Sequence, residues 1–81
     1  MDTRIAVMSI IIENNESAEA VNDILHEYSS TVIGRMGIPY RQRNINIISA
    51  ALDAPQKDIA AMSGKIGNLP GVSVKTAYSS I

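Results

Sequence analysis

Thr31-Val-Ile-Gly-Arg-Met-Gly-Ile-Pro-Tyr-Arg-Gln-Arg-Asn-Ile-Asn-Ile-Ile-Ser-Ala-Ala-Leu52 is the stretch that decides how this chain folds. Two β-type runs, Val32 to Pro39 and Asn44 to Leu52, flank a polar, basic turn, which reads as a long hairpin. Pro39 has no N–H to give to a ladder, and Gly34 and Gly37 weaken a strand interior or mark a bulge, so the first run belongs at a sheet edge. The second run puts Ile45 and Ile47 on one face and Ile48, Ala50 and Leu52 on the other, as in a strand covered on both sides.

Toward the N-terminus, Arg4 to Ile12 is apolar on both alternating sets: Ile5, Val7 and Ile11 on one, Ala6, Met8, Ile10 and Ile12 on the other. It predicts a second central strand. Glu13-Asn14-Asn15-Glu16 breaks the pattern with residues suited to helix N-caps and to the positive end of a helix dipole, so the first helix starts there. Val21, Ile24, Leu25 and Tyr28 then follow at i, i+3, i+4 and i+7, and Ser29 and Ser30 end the helix. Beyond the hairpin, Asp53-Ala54-Pro55 signals the start of a second helix carrying Ile59, Met62 and Ile66 on one face. Gly67 is its expected C-cap, and Asn68-Leu69-Pro70-Gly71 makes a tight connection. Val72 to Tyr78 alternates as a half-exposed edge strand should.

The order β-α-β-β-α-β, joined by right-handed crossovers, gives one α+β domain over residues 1–81: a ferredoxin-like sandwich with an antiparallel sheet in the order 4-1-3-2 and both helices on one face. That order makes strands 1 and 3 central, as their burial patterns independently require. If both helices cover one face, the apolar second face needs another cover. The expectation is a homo-oligomer, a dimer or a tetramer, with a sheet face or edge in the contact.

With 81 residues the chain holds one small core, and without cysteine it forms no disulfide or thiolate metal site. Seven basic and eight acidic residues, dispersed, give no footprint for direct nucleic-acid binding by this chain alone. No apolar run approaches the ~20 residues that span a bilayer, and no signal-peptide pattern opens the sequence, so a cytoplasmic protein without a membrane partner is expected.

Chemistry-bearing residues are sparse. His26, with Asn22 and Asp23 before it, lies on the polar helix face; the plain reading is solvation, the alternative a metal site shared between subunits. Gly34-Arg35-Met36-Gly37 has the GxxG form of a backbone clamp but sits in a strand, so it reads as a bulge or close approach that can line a ligand pocket at an interface. Tyr40, Arg41 and Arg43 form the hairpin tip, close to the loop bearing Asn14 and Asn15. That end is either a set of exposed ion pairs or an anion cluster with the N-terminal amides of the first helix. No nucleophile and base stand together in the sequence pattern, no cofactor motif is present, and no enzyme is expected.

The segments Asn22-Asp23-Ile24-Leu25-His26-Glu27-Tyr28, Gly34-Arg35-Met36-Gly37-Ile38-Pro39-Tyr40-Arg41 and Leu69-Pro70-Gly71-Val72-Ser73-Val74-Lys75-Thr76 carry a resemblance. Over almost its full length the chain is similar to a family of regulators ascribed to the iron-only hydrogenase system. The resemblance implies an ACT-like fold, similar also to the C-terminal domain of the nickel-responsive repressor NikR. It implies a non-enzymatic, self-associating regulatory module that responds to a small-molecule effector or a protein partner. A metal- or anion-sensing oligomer with sites between subunits is the alternative. Nickel sites of the NikR type use several histidines and a cysteine, whereas this chain has His26 alone. The glycine-bearing first loop of amino-acid-binding ACT domains is here Glu13-Asn14-Asn15-Glu16. No ribbon-helix-helix segment precedes the expected domain, so an effect on transcription requires a partner.

Overall fold

A computed structural model describes residues 2–80. Strand β1 (Arg4–Ile12) is followed by a 3-10 turn (Asn15–Ser17) and helix α1 (Ala18–Glu27). Strands β2 (Val32–Tyr40) and β3 (Ile45–Ala54) form the long hairpin, and helix α2 (Gln56–Gly67) leads to strand β4 (Val72–Tyr78). The sheet is antiparallel throughout in the order β2-β3-β1-β4, which is the expected ferredoxin-like arrangement.

One face of the sheet carries the core. Ala6, Met8, Ile10 and Ile12 of β1 and Ile48, Ala50, Leu52 and Ala54 of β3 are buried against Val21 and Leu25 of α1 and Ile59, Met62 and Ile66 of α2. The period of two in the strands and of 3.6 in the helices brings these side chains to one layer. Thr76 places a hydroxyl without a hydrogen-bond partner on this side of β4.

The opposite face follows from the register. Ile38, Ile47, Ile11 and Ser73 form one row across the four strands; Met36, Ser49, Ser9 and Lys75 form the next; Gly34, Ala51, Val7 and Ala77 the third. Among the described residues nothing packs over these rows, and Val7, Ile11 and Ile38 are each more than two-fifths exposed. In β2 the bulge falls at Ile33, between the pairs Val32–Leu52 and Gly34–Ala51.

Three local expectations are corrected. The first helix does not start at Glu13–Glu16: Asn14 caps the 3-10 turn by accepting from the Glu16 N–H, and the α-helix begins at Ala18. Buried Ser17 explains the delay, because its hydroxyl donates to the Pro70 carbonyl at 2.7 Å and holds the turn against the α2–β4 loop. Asp53 and Ala54 remain in β3, since Ala54 still fills the core face, and Pro55 takes the helix N-cap position. Gly67 is the last helical residue, not the cap; Asn68 caps the helix with right-handed geometry.

The positive φ is needed four residues further on, at Gly71 (φ 68°). There the chain passes so close to the β1–α1 loop that Glu13 N–H donates to Gly71 O at 2.7 Å. A Cβ on residue 71 would lie 2.7 Å from Asn14 Cβ and 3.0 Å from its backbone N. Gly71→Ala is therefore expected to lower the unfolding free energy by about 2–4 kcal/mol, from left-handed strain and overpacking together, measured by urea denaturation.

Lys65 joins the two helices, with Nζ 3.0 Å from Glu27 Oε2 and 5.0 Å from the Tyr28 ring centre. The bond to Glu27 raises the Lys65 pKa above its ordinary value. Both side chains of the pair stand in water, so it adds little to stability.

Candidate functional site

The helices sit over β1, β3 and β4, and edge strand β2 overhangs them. The residues that β2 turns toward the helix layer are Arg35, Gly37 and Pro39, opposite Ala50, Ile48 and Asn46 of β3. Gly37 supplies no side chain there, and a cavity of about 340 Å³ opens between β2 and α1. Its walls include buried Ile12 and Ile48, Ala18 and Asn22 of α1, Asn46, Pro39 and Arg35. Arg35 also lines a second cavity of about 230 Å³ with Leu25, His26 and Ser29. Pro39 and Asn46 are shared with a third, of about 200 Å³, which adds Asn15, Arg41 and Asn44. The three form one groove along the helix side of β2.

Polarity in the groove is one-sided. None of the three cavities is lined by Asp or Glu, while Arg35, Arg41 and His26 all take part. Among the described residues the Arg35 side chain makes no hydrogen bond or ion pair. The asparagines are held: Asn46 Nδ2 donates to Asn15 Oδ1 at 2.9 Å, Asn15 Nδ2 donates to Asn44 Oδ1, and Asn22 Nδ2 donates to the Ala18 carbonyl at 3.1 Å. Asn44 closes the hairpin in the left-handed conformation (φ 56°), a geometry asparagine tolerates well.

The residues singled out in the sequence divide among different places. Arg35 and Gly37 meet in the main cavity, and Arg41, Tyr40 and Asn15 meet at its end near the hairpin tip. Met36 lies on the open sheet face, and Gly34 shares that face while its backbone borders the cavity of His26. Arg43 lines none of the three cavities. Asn14 is occupied as the cap of the 3-10 turn and packs on Gly71. Tyr40 donates its hydroxyl to Gln42 Oε1 at 2.7 Å, outside the groove's polar network. His26 makes no side-chain hydrogen bond among the described residues, where no group of three or more His, Cys, Asp or Glu side chains comes together. Asn46 is a groove residue that the sequence did not single out, and Asn22 was weighed only beside His26. An asparagine on the core-facing set of β3, in line with Ile48 and Ala50, was the available signal.

Element order, strand order and the single helix layer define the class of the protein: an α+β, ferredoxin-like sandwich. The chain belongs to the TM1266-like family, described as "Iron-only hydrogenase system regulator, putative", whose model matches residues 4–76. It is similar to the uncharacterized protein TM1266 from Thermotoga maritima at 33% identity and a TM-score of 0.91, over 95% of this chain and 98% of that one. The C-terminal domain of MgtC from Mycobacterium tuberculosis shares the fold at 14% identity and a TM-score of 0.74, over 95% of this chain and 88% of that one. So does CPII, a nitrogen regulatory PII-like protein from Thiomonas intermedia K12 solved with ADP, AMP and bicarbonate, at 14% identity and a TM-score of 0.54, over 98% and 99% of the two chains. No curated protein matches this chain. Among the described residues no helix is long and apolar enough to cross a membrane.

Proposed function

We propose that this chain is a non-enzymatic, self-associating regulatory module of the iron-only hydrogenase system, acting in the cytoplasm through a small ligand or a protein partner. The observation that carries the self-association is the bare sheet face. Ile38, Ile47 and Ile11 stand on it in one row and Val7 and Ile5 further along, with the row of Met36, Ser49, Ser9 and Lys75 between them. Its charged residues sit at the margin, Lys75 on edge strand β4 and Asp53 beside Ile5 at one end. Exposed isoleucines and valine on either side of a strip of small serines suit a protein interface, which mixes apolar and polar area.

Size agrees with that reading. From Ile45 to Asp53 along β3 and across four strands, the face measures about 26 by 14 Å between Cα atoms. With overhanging side chains it approaches the ~800 Å² per partner of a standard interface. The chain also exposes 5255 Å², against the ~4,700 Å² expected of a compact monomer of its 8.7 kDa. Two copies related by a two-fold axis cover each other's faces.

The experiment is light scattering on the purified chain at micromolar concentration. The expected mass is twice 8.7 kDa, or four times if dimers pair; a mass of 8.7 kDa overturns the proposal. Regulation itself is tested by deleting the gene and following hydrogenase activity and transcript levels. No change in either removes the assignment to that system.

A further inference from the structure

The groove between α1 and β2 has an unpartnered arginine above an apolar floor, and we infer that it binds a small organic anion: a carboxylate or phosphate head on Arg35 with a short apolar body on Ile12 and Ile48. This names the effector of the ligand-responsive reading and rests on it.

A guanidinium has five N–H donors in a planar fork that matches a carboxylate or phosphate edge. At Arg35 none of them is used among the described residues. Charge strengthens the case. The protein has eight acidic and seven basic residues, yet the three joined cavities exclude every carboxylate and gather two arginines and the histidine. Such segregation concentrates positive potential in a concave site and raises the local concentration of anions.

The body of the ligand is set by the rest of the lining. Asn22 and Asn46 direct their amide nitrogens to protein acceptors, which leaves both Oδ1 atoms to accept from a ligand hydroxyl or N–H. Ile12, Ile48, Ala18 and Pro39 supply apolar surface around them. A cavity of about 340 Å³ lies at the lower end of the range for small-molecule sites. Gly37 fits the same reading, because a Cβ there would meet no atom within 4 Å. The space beside its backbone is open to an occupant.

The test is a titration of 15N-labelled protein followed by amide chemical shifts, with four probes: 4-hydroxybenzoate, phenyl phosphate, inorganic phosphate and phenol. The expected result is a saturable shift confined to Ala18–Asn22, Arg35–Pro39 and Asn46–Ile48 with at least one of the two organic anions, at a Kd of about 1 mM or tighter. Whichever of the pair binds more tightly identifies the head group. Arg35→Gln should weaken binding at least ~10-fold through the lost charge-assisted bonds, and Gly37→Val should abolish it by filling the cavity. Both variants are expected to fold, since Arg35 is exposed and valine suits a strand, and their own spectra report it. Met36→Gln, one residue away on the other face, should bind like the parent. Absence of saturation up to about 10 mM overturns the site, as does binding that survives Arg35→Gln. Inorganic phosphate or phenol binding as tightly as phenyl phosphate overturns the two-part ligand. Light scattering on the same samples reads self-association separately, so failure of the groove leaves the dimer proposal standing.

Discussion

Lysine in place of Ile11 is expected to separate the proposed dimer into folded monomers. Ile11 occupies the middle of the row Ile38–Ile47–Ile11–Ser73 and keeps 44% of its surface exposed in the single chain. In a two-fold contact the change enters twice. Each copy loses about 1 kcal/mol of the burial that association would have added. Each also brings an ammonium group against the partner's apolar face, which costs about 1–3 kcal/mol even after the side chain reaches for the rim. The sum, roughly 4–8 kcal/mol, weakens the dimer by about 10³-fold or more. In the monomer the same lysine stands on a solvated strand face, where the change stays within the ~1 kcal/mol spread of strand preferences. Light scattering should give 8.7 kDa with an unchanged circular dichroism spectrum. A variant that stays dimeric moves the contact from the sheet face to the free edge of β2.

The residues that make this argument possible were legible because they obey a period. Two sets of apolar side chains alternate along β1 and along β3, and only a strand sandwiched between two layers requires both. The helices could be read to cover one layer only, so the second layer had to come from elsewhere. Edge positions were legible for a different reason: Pro39 and the glycines of β2 are costly in a central ladder, whatever lies around them.

The groove was not legible in that way. Its width depends on where α1 rests across the sheet, and that is set by the packing of Val21 and Leu25 against α2 and the central strands, contacts between residues distant in sequence. Helical period alone puts Asn22 on the polar face of α1, and nothing local says that β2 will pass beside it. Asn14 failed in the opposite direction. Its type suits a ligand contact, but the structure spends its side chain on Glu16 N–H and its Cβ against Gly71. A cap and a binding residue have the same composition, and only the close passage of the α2–β4 loop separates them.

Ile10 stands next to Ile11 and differs from it only in the side of the sheet it faces, so the pair separates folding from association. Ile10 is fully buried, paired across the sheet with Ile48 on one side and Val74 on the other. Ile10→Ala leaves a cavity beneath both helices and is expected to remove about 2–5 kcal/mol of stability. A domain of this length holds about 4–12 kcal/mol in total, so the variant loses a large fraction. At roughly 4–8 °C per kcal/mol, the melting temperature should fall by about 8–40 °C. The two variants also differ in how protein concentration acts. Association stabilises a folded chain by mass action, so in the proposed dimer the parent's melting temperature is expected to rise with concentration. Ile11→Lys removes that dependence and little else at high dilution. Ile10→Ala keeps the dependence, with its whole curve displaced downward, because its cavity lies on the side of the sheet the partner does not touch. Melting curves for both variants over about a hundredfold range of concentration check the assignment of the two faces. A concentration-independent Ile10→Ala would mean that the core and the contact are one cooperative structure, in which the sheet cannot keep its second face without its partner.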